Sequence, residues 1–237
     1  MIIEVLYPEI CNLYGELANI RLVKESAPEI TVVETLINEK PKFLTEKVDL
    51  VYIGTMSENS QLLVMEKLAP YMEELKAAVE KGQYILATGN AHEIFAKEIK
   101  DTSGETIQCL GLFDYTVKRN MRTRYNSLYV GMYKNIPVVG FKSQFTHSYY
   151  NFQYEPLFMT ERGPGFNPDI KEEGIRYKNF MGTYIIGPLF VLNPLLMEEI
   201  MHEIGDENFT CAHREAAVDA YNFRLEEYRD PKTGFYY

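Results

Sequence analysis

The run Tyr84-Ile-Leu-Ala-Thr-Gly-Asn-Ala-His-Glu-Ile-Phe95 reads as a β-strand that turns sharply through small residues into a helix. In hydrolytic α/β folds such an elbow lifts one nucleophilic side chain above the sheet, while backbone N–H groups at the helix start hold an oxyanion. An ordinary strand-to-helix junction has the same spacing, and the residue at the apex, Gly89, carries no nucleophile. Cys11 follows the first strand, on the side of the sheet where open α/β folds bind ligands. Nothing near it in sequence would lower its pKa, so a small, half-buried thiol packed under the first helix is the favoured reading. His92, one turn into the elbow helix, could move protons together with Glu93, although a helix N-terminus disfavours a charged imidazole and packing is the commoner role. His202 and His213 match no metal-binding spacing, and Cys109 and Cys211 stand singly, so neither a metal nor a cofactor is implied.

Lys118, Arg119, Arg122 and Arg124, followed by Tyr125, Tyr129 and Tyr133, have the basic and aromatic mix of a nucleic-acid surface. The whole chain has a formal charge of −10, and a net negative field repels phosphate. A solvated strand pair whose charges discourage edge pairing is the favoured reading, with no nucleic-acid partner. The tyrosines, Tyr236 and Tyr237 among them, could coat an interface or fill a core. Three widely spaced cysteines fit a reducing cytoplasm. The opening MIIEVLYPEI has Glu4 inside a short apolar run and is no signal peptide. No apolar stretch approaches the roughly 18 to 20 residues a membrane span needs, TYIIGPLFVL coming nearest.

Four apolar, β-rich runs, Ile2 to Tyr7, Thr31 to Leu36, Asp49 to Gly54 and Tyr84 to Thr88, alternate with helical patterns, which implies a parallel sheet with crossover helices. The helices are predicted over Gly15 to Glu25, over Ser60 to Lys81, and from just after Gly89 through Ile94 and Phe95 toward Ile99. In the second, Leu63, Met65, Leu68, Met72, Leu75 and Val79 mark the apolar face and Pro70 kinks or splits it. Successive short strands follow, alternating over Ser127 to Lys134, turning at Asn135 to Pro137 and resuming at Val138 to Phe141. Residues 161–174 read as a surface loop, and two helices close the pattern, one near Pro194 with Asn193 as N-cap and one from His213 to Arg229. With no repeat and no clean linker, residues 1–237 are expected to form one domain.

Five segments carry a family resemblance: YPEICNLYGELANI, ILATGNAHEIF, CLGLFDYTV, VVGFKSQ and, most specifically, NFMGTYIIGPLFVLNP. In this order they resemble the CobB/CobQ-like glutamine amidotransferases, and within these the glutaminase subunits of lipid II isoglutaminyl synthases, which work with a Mur-ligase-like partner. The resemblance implies the class I glutamine amidotransferase fold, a flavodoxin-like, mostly parallel sheet with helices on both faces and an antiparallel or mixed extension. It also implies a cleft formed by Gly54, Thr55, Met56, Gly89, Asn90, Ala91, Tyr184 and Ile186.

In that family the elbow apex is a cysteine whose thiolate attacks the glutamine amide, and a histidine in a GTY-x-His-GPL motif returns the proton. Here those positions are Gly89 and Ile186. The glycine-rich loop that helps bind the oxyanion falls on Ile53-Gly-Thr-Met-Ser-Glu-Asn59, where only Gly54 remains, and a further cleft segment has become Gly140-Phe-Lys-Ser-Gln-Phe145. His147 follows that segment and joins Cys11 and His92 as a candidate substitute. Because nucleophile and base act as a unit, losing both implies a chain that no longer hydrolyses glutamine and is retained to bind a partner protein, such as a synthetase, or a small molecule. An enzyme with a rebuilt site and a purely structural subunit stand as the alternatives.

Overall fold

Residues 1–150 and 154–235 are described in this computed structural model; Tyr236 and Tyr237 lie outside them. In chain order come β1 (Ile2–Leu6), α1 (Ala18–Ser26), β2 (Thr31–Thr35), β3 (Leu50–Ile53), α2 (Glu58–Leu68), α3 (Met72–Glu80) and β4 (Tyr84–Thr88). Next are β5 (Glu98–Asp101), β6 (Thr106–Gln108), β7 (Thr116–Arg119), β8 (Tyr125–Tyr133), β9 (Ile136–Gln144) and β10 (Thr146–Tyr149). Then follow β11 (Phe158–Arg162), β12 (Glu172–Glu173), β13 (Ile175–Tyr177), β14 (Phe180–Thr183), α4 (Leu189–Leu192), α5 (Pro194–Ile204) and α6 (Arg214–Arg229).

The central sheet has the order β2-β1-β3-β4-β14-β13, parallel throughout except for the β13–β14 pair. Its parallel part follows the flavodoxin-like order, in which ligands sit beyond the carboxyl ends of the strands. Val51, Ile53, Ile85, Ala87 and Phe180 point to one face, where Val64, Met65 and Leu68 of α2 and Leu75 and Val79 of α3 cover them. Leu50, Tyr52, Leu86 and Met181 point to the other, against Ile20 and Val23 of α1, Phe190 of α4 and Met197 and Met201 of α5. Burial on both faces is why these strands read as near-continuous apolar runs. A mixed sheet, β10-β7-β5-β6, and an antiparallel one, β12-β11-β8-β9, form the extension.

Several expectations change. No third helix runs toward Ile99: Gly89–Phe95 is a series of 3₁₀ turns, and Glu98–Asp101 is a strand. The carbonyls a helix would use are taken by tertiary donors. Gln61 Nε2 donates to Asn90 O, Tyr115 OH to His92 O, and the amides of Leu110 and Phe113 to Ile94 O and Phe95 O. Leu63 is exposed, and Gln61 takes the fourth position of the buried stripe with Val64, Met65 and Leu68. Pro70 does divide its helix, through a 3₁₀ turn at Ala69–Tyr71.

The 161–174 segment is no simple surface loop. Its ends join β11 and β12, Phe166 is fully buried against the His92 ring at 4.8 Å, and Asn167 Nδ2 donates to Ser148 O at 2.8 Å. Asn193 takes the N-cap position of α5 as expected, but its side chain makes no cap bond there and its amide instead grips both backbone groups of Val139. Of the basic and aromatic cluster, Arg119, Tyr129 and Tyr133 are interior.

The extension is riveted to the central sheet by a buried ion pair. Lys142 Nζ of β9 lies 2.5 Å from Glu173 Oε2 of β12, with side chains 1% and 0% exposed. Glu173 Oε1 accepts from Thr183 Oγ1 and from the Tyr184 amide, each at 2.8 Å, at the end of β14. Removing one member of such a pair leaves an uncompensated buried charge, a loss of about 3–5 kcal/mol. Lys142→Met should therefore lower unfolding free energy by about that amount, and Lys142→Met with Glu173→Gln should recover most of it, because a neutral amide oxygen still accepts from Thr183 and Tyr184. Urea denaturation of parent, single and double variants measures both effects.

Candidate functional site

The carboxyl ends of β3, β4 and β14 are level, with Ile53 beside Ala87 and Thr88 beside Thr183. The residues that follow must therefore meet. Thr55, Met56, Gly89, Asn90, Tyr184 and Ile186 line one cavity of about 200 Å³. Gly54 and Ala91 are buried beside it. A Cβ at Gly54 would stand 2.5 Å from the Cys11 carbonyl oxygen, so only glycine lets the chain after β1 cross there.

The apex keeps an elbow backbone, with φ +58° at Gly89. A Cβ built there would fall 2.0 Å from Thr55 Oγ1 and 3.0 Å from Thr55 Cβ and Cγ2. Rotating Thr55 moves its hydroxyl away but leaves its own Cβ too close. Asn90 clamps the neighbouring loop: its Oδ1 accepts from the Met56 amide at 3.0 Å and its Nδ2 donates to the Met56 carbonyl at 2.8 Å. That amide is thus occupied and cannot serve as an oxyanion donor. Ile186 is buried and tied to β9 through two backbone bonds with Phe141, at 3.0 and 3.2 Å. No cysteine or histidine is among the described residues lining the cavity.

Two buried carboxylates hold this arrangement, Glu16 from behind and Glu93 in the cavity wall. Glu16, fully buried, accepts from Thr88 Oγ1 at 2.9 Å, from Asn19 and Tyr52 at 3.3 Å, and through Oε1 from the Gly187 amide at 3.0 Å. It joins the elbow to the chain after Ile186. Burial pushes its carboxyl pKa up, against the opposing pull of these donors. Glu93, also buried, accepts from Thr146, from Tyr184 OH at 3.0 Å and from Gln61 Nε2 at 2.8 Å, with Arg119 3.8 Å away. Burial raises its pKa too, and Arg119 works against that rise.

The candidate substitutes lie outside the cavity lining. Cys11 is buried, its Sγ 3.9 Å from Met56 Sδ, and burial pushes its thiol well up, the reverse of nucleophile activation. His92 is a core residue with Nδ1 2.9 Å from Tyr115 OH and its ring 4.3 Å from that of Tyr184, and burial holds it neutral. His147 lies on β10 against Tyr125, ring centroids 4.3 Å apart, in a different cavity. Glu16, Gln61 and Arg119 were not legible as site residues. Only the spacing of Gln61 with Val64, Met65 and Leu68 signalled a buried polar side chain.

The family model of the CobB/CobQ-like glutamine amidotransferase domain matches residues 2–193. The chain belongs to that family. It is 28% identical over 186 residues to subunit GatD of the glutamine-hydrolysing lipid II isoglutaminyl synthase of Staphylococcus aureus (strain N315), covering 77% of this chain and 75% of that protein. It is 23% identical over 197 residues to the subunit of the same name from Streptococcus pneumoniae (strain ATCC BAA-255 / R6), covering 79% and 74%. Among solved structures, a glutamine amidotransferase aligns with TM-score 0.59 at 13% identity over 85% of this chain and 98% of that one. PurLQS from Thermotoga maritima aligns with TM-score 0.56 at 13% identity over 94% and 98%. These two likenesses establish the fold, the class I amidotransferase arrangement seen in the sheet order.

Two outcomes follow from this packing. Gly89→Ala should lose about 1–3 kcal/mol through positive φ and the clash with Thr55. In a double-mutant cycle Thr55→Gly should restore part of it, with a coupling of about 1 kcal/mol or more. Thermal and urea melts of the four proteins read this directly. For Glu16, a folded-state pKa raised above the ordinary 4.5 contributes stability that is fully present below that value and lost as pH rises through the folded-state pKa. Glu16→Gln should therefore gain on the parent as pH increases from about 4.5 upward, and a stability difference that does not change with pH would contradict the raised carboxyl.

Proposed function

We propose that this chain is a glutamine amidotransferase homologue, one domain over residues 1–237, that does not hydrolyse glutamine and serves as a partner-binding or small-ligand-binding subunit. One observation carries the reading. The elbow apex has no side chain, and Thr55 stands where the first atom of any side chain would go. Covalent amide hydrolysis needs a nucleophile with a base in hydrogen-bond reach. The position that carries the family's base is the apolar Ile186, and the amide of Met56 is held by Asn90.

The GatD relatives are described as subunits of a glutamine-hydrolysing synthase, which supports a synthetase of the Mur-ligase-like kind as partner here. The three cysteines are free, which suits a reducing cytoplasm.

The test is ammonia release from glutamine. The purified protein should show none above background, and turnover abolished by Cys11→Ser would overturn the reading in favour of a rebuilt site. Gly89→Cys with Ile186→His should also fail while Thr55 blocks the apex. Adding Thr55→Gly should give the first detectable turnover, still below an intact site by about a hundredfold or more if an oxyanion donor is missing.

A further inference from the structure

The last helix turns an aromatic side chain straight out to solvent. α6 buries Tyr221 and Leu225, and at about 100° per residue the position diametrically opposite that pair is Phe223, 72% exposed. No other large hydrophobic side chain among the described residues is as exposed. Asp219, Glu226 and Glu227 stand one turn from it on either side, all exposed and none in an ion pair among the described residues. The helix's arginines do not offset them: Arg214 is held by Glu198 and Arg229 by Glu161, while Arg224 is half-buried about a quarter-turn away. Glu226 and Glu227 fall in the last turn, where the helix dipole favours cations, and Glu215 and Asp219 repel each other at i, i+4. This face therefore costs α6 stability, and its chemistry calls for a cationic cover.

The complement lies on the same molecule. A cavity of about 630 Å³ opens between the β8–β9 ribbon, β10 and residues 163–171. Tyr125, 36% exposed and packed on His147, forms one side, and Pro164, Pro168 and the half-buried Ile170 form the other. Beneath them Lys142 is neutralised by Glu173 and tied to the Gly165 carbonyl, so the floor is rigid and offers no free charge. The free charge is at the rim. Arg124 and Lys171 are exposed there, with Arg122 and Met121, 46% exposed, on the adjoining turn. Arg122, Arg124 and Lys171 form no ion pair among the described residues, and Asp169 is the one carboxylate in the lining.

An aromatic knob ringed by carboxylates and an aromatic- and proline-walled slot rimmed by cations match in shape and in sign. A buried aromatic anchor in a pocket, with a polar rim around it, is the arrangement that carries most of the energy of protein interfaces. With a net charge of −10, copies of this chain repel one another over most of their surface, and the cationic rim is where an acidic face of another copy is drawn in.

We propose that copies of this chain associate head to tail, Phe223 of one seated in the slot of the next, with Asp219, Glu226 and Glu227 facing Arg122, Arg124 and Lys171. Each copy uses two different surfaces, so the contact is heterologous and extends into an open chain or closes as a ring. It does not depend on whether glutamine is hydrolysed.

Sedimentation equilibrium of the purified chain from about 10 μM to 1 mM tests it, a range that brackets weak contacts. The average mass should rise with concentration, and rise less when salt is raised from about 50 to 500 mM, because exposed charge pairs are screened. Phe223→Ala and Lys171→Glu alter exposed side chains that make no hydrogen bond or ion pair of their own, so both variants should melt with the parent. Each should weaken association about tenfold or more. Mixed together, they supply one intact knob and one intact slot, and the mixture should form pairs of chains and stop there. A parent that stays monomeric throughout would leave the slot to some other protein and overturn the proposal. Association unchanged in Phe223→Ala, or a mixture no heavier than its two components alone, would overturn it as well.

Discussion

Beside the Lys142–Glu173 pair, one buried carboxylate sets how the sheets meet. Glu93 collects donors from α2 through Gln61, from β10 through Thr146 and from the end of β14 through Tyr184, with Arg119 of β7 alongside. A buried charge is tolerable only when so satisfied, and each partner is thereby fixed in position. Arg119 NH2 in turn donates to Gln61 Oε1 at 2.6 Å, closing a ring of three side chains beneath the cleft. The 3₁₀ conformation of residues 89–95 belongs to the same constraint, since a regular helix would carry His92 and Glu93 away from these partners.

The packing around the elbow apex rests on mutual fit. Gly89 permits Thr55 to approach, Thr55 in turn excludes any larger residue at 89, and Asn90 binds both backbone groups of Met56. Glu16 ties the elbow to the chain after Ile186. A site that must act on substrate keeps strained or unsatisfied groups ready. Here the Met56 backbone is paired with Asn90 and Thr88 with Glu16, while His92 Nε2 and Arg119 Nε stay buried without a hydrogen-bond partner in the core behind.

The parallel strands were legible because burial on both faces writes itself as continuous apolar runs, and the elbow because small residues cluster at its turn. The motifs around Gly89 and Ile186 gave the family. Legibility ended where tertiary bonds override local pattern. The helix expected after Gly89 has the right composition, yet its carbonyls are claimed by Gln61, Tyr115, Leu110 and Phe113 from distant parts of the chain. Lys142, in an alternating strand, looks like a solvent-facing charge until Glu173 arrives from thirty-one residues away. Phe166 and Asn167 sit in a run of Gly, Pro and charge that reads as loop, and only the cleft wall they cover explains their burial.

The pairing of β4 with β14 carries a consequence for the order in which the chain can assemble. The strands from β1 to β4 lie close together in sequence and can associate early, but β14 reaches β4 only after β5 through β13 have been made. Until then β4 is a bare sheet edge of apolar residues, open to pairing with any other chain. Such long-range closure is slow. The cleft is therefore among the last parts of the molecule to exist during synthesis, and a ribosome that stalls before residue 180 would release a sheet with the apolar edge of β4 uncovered.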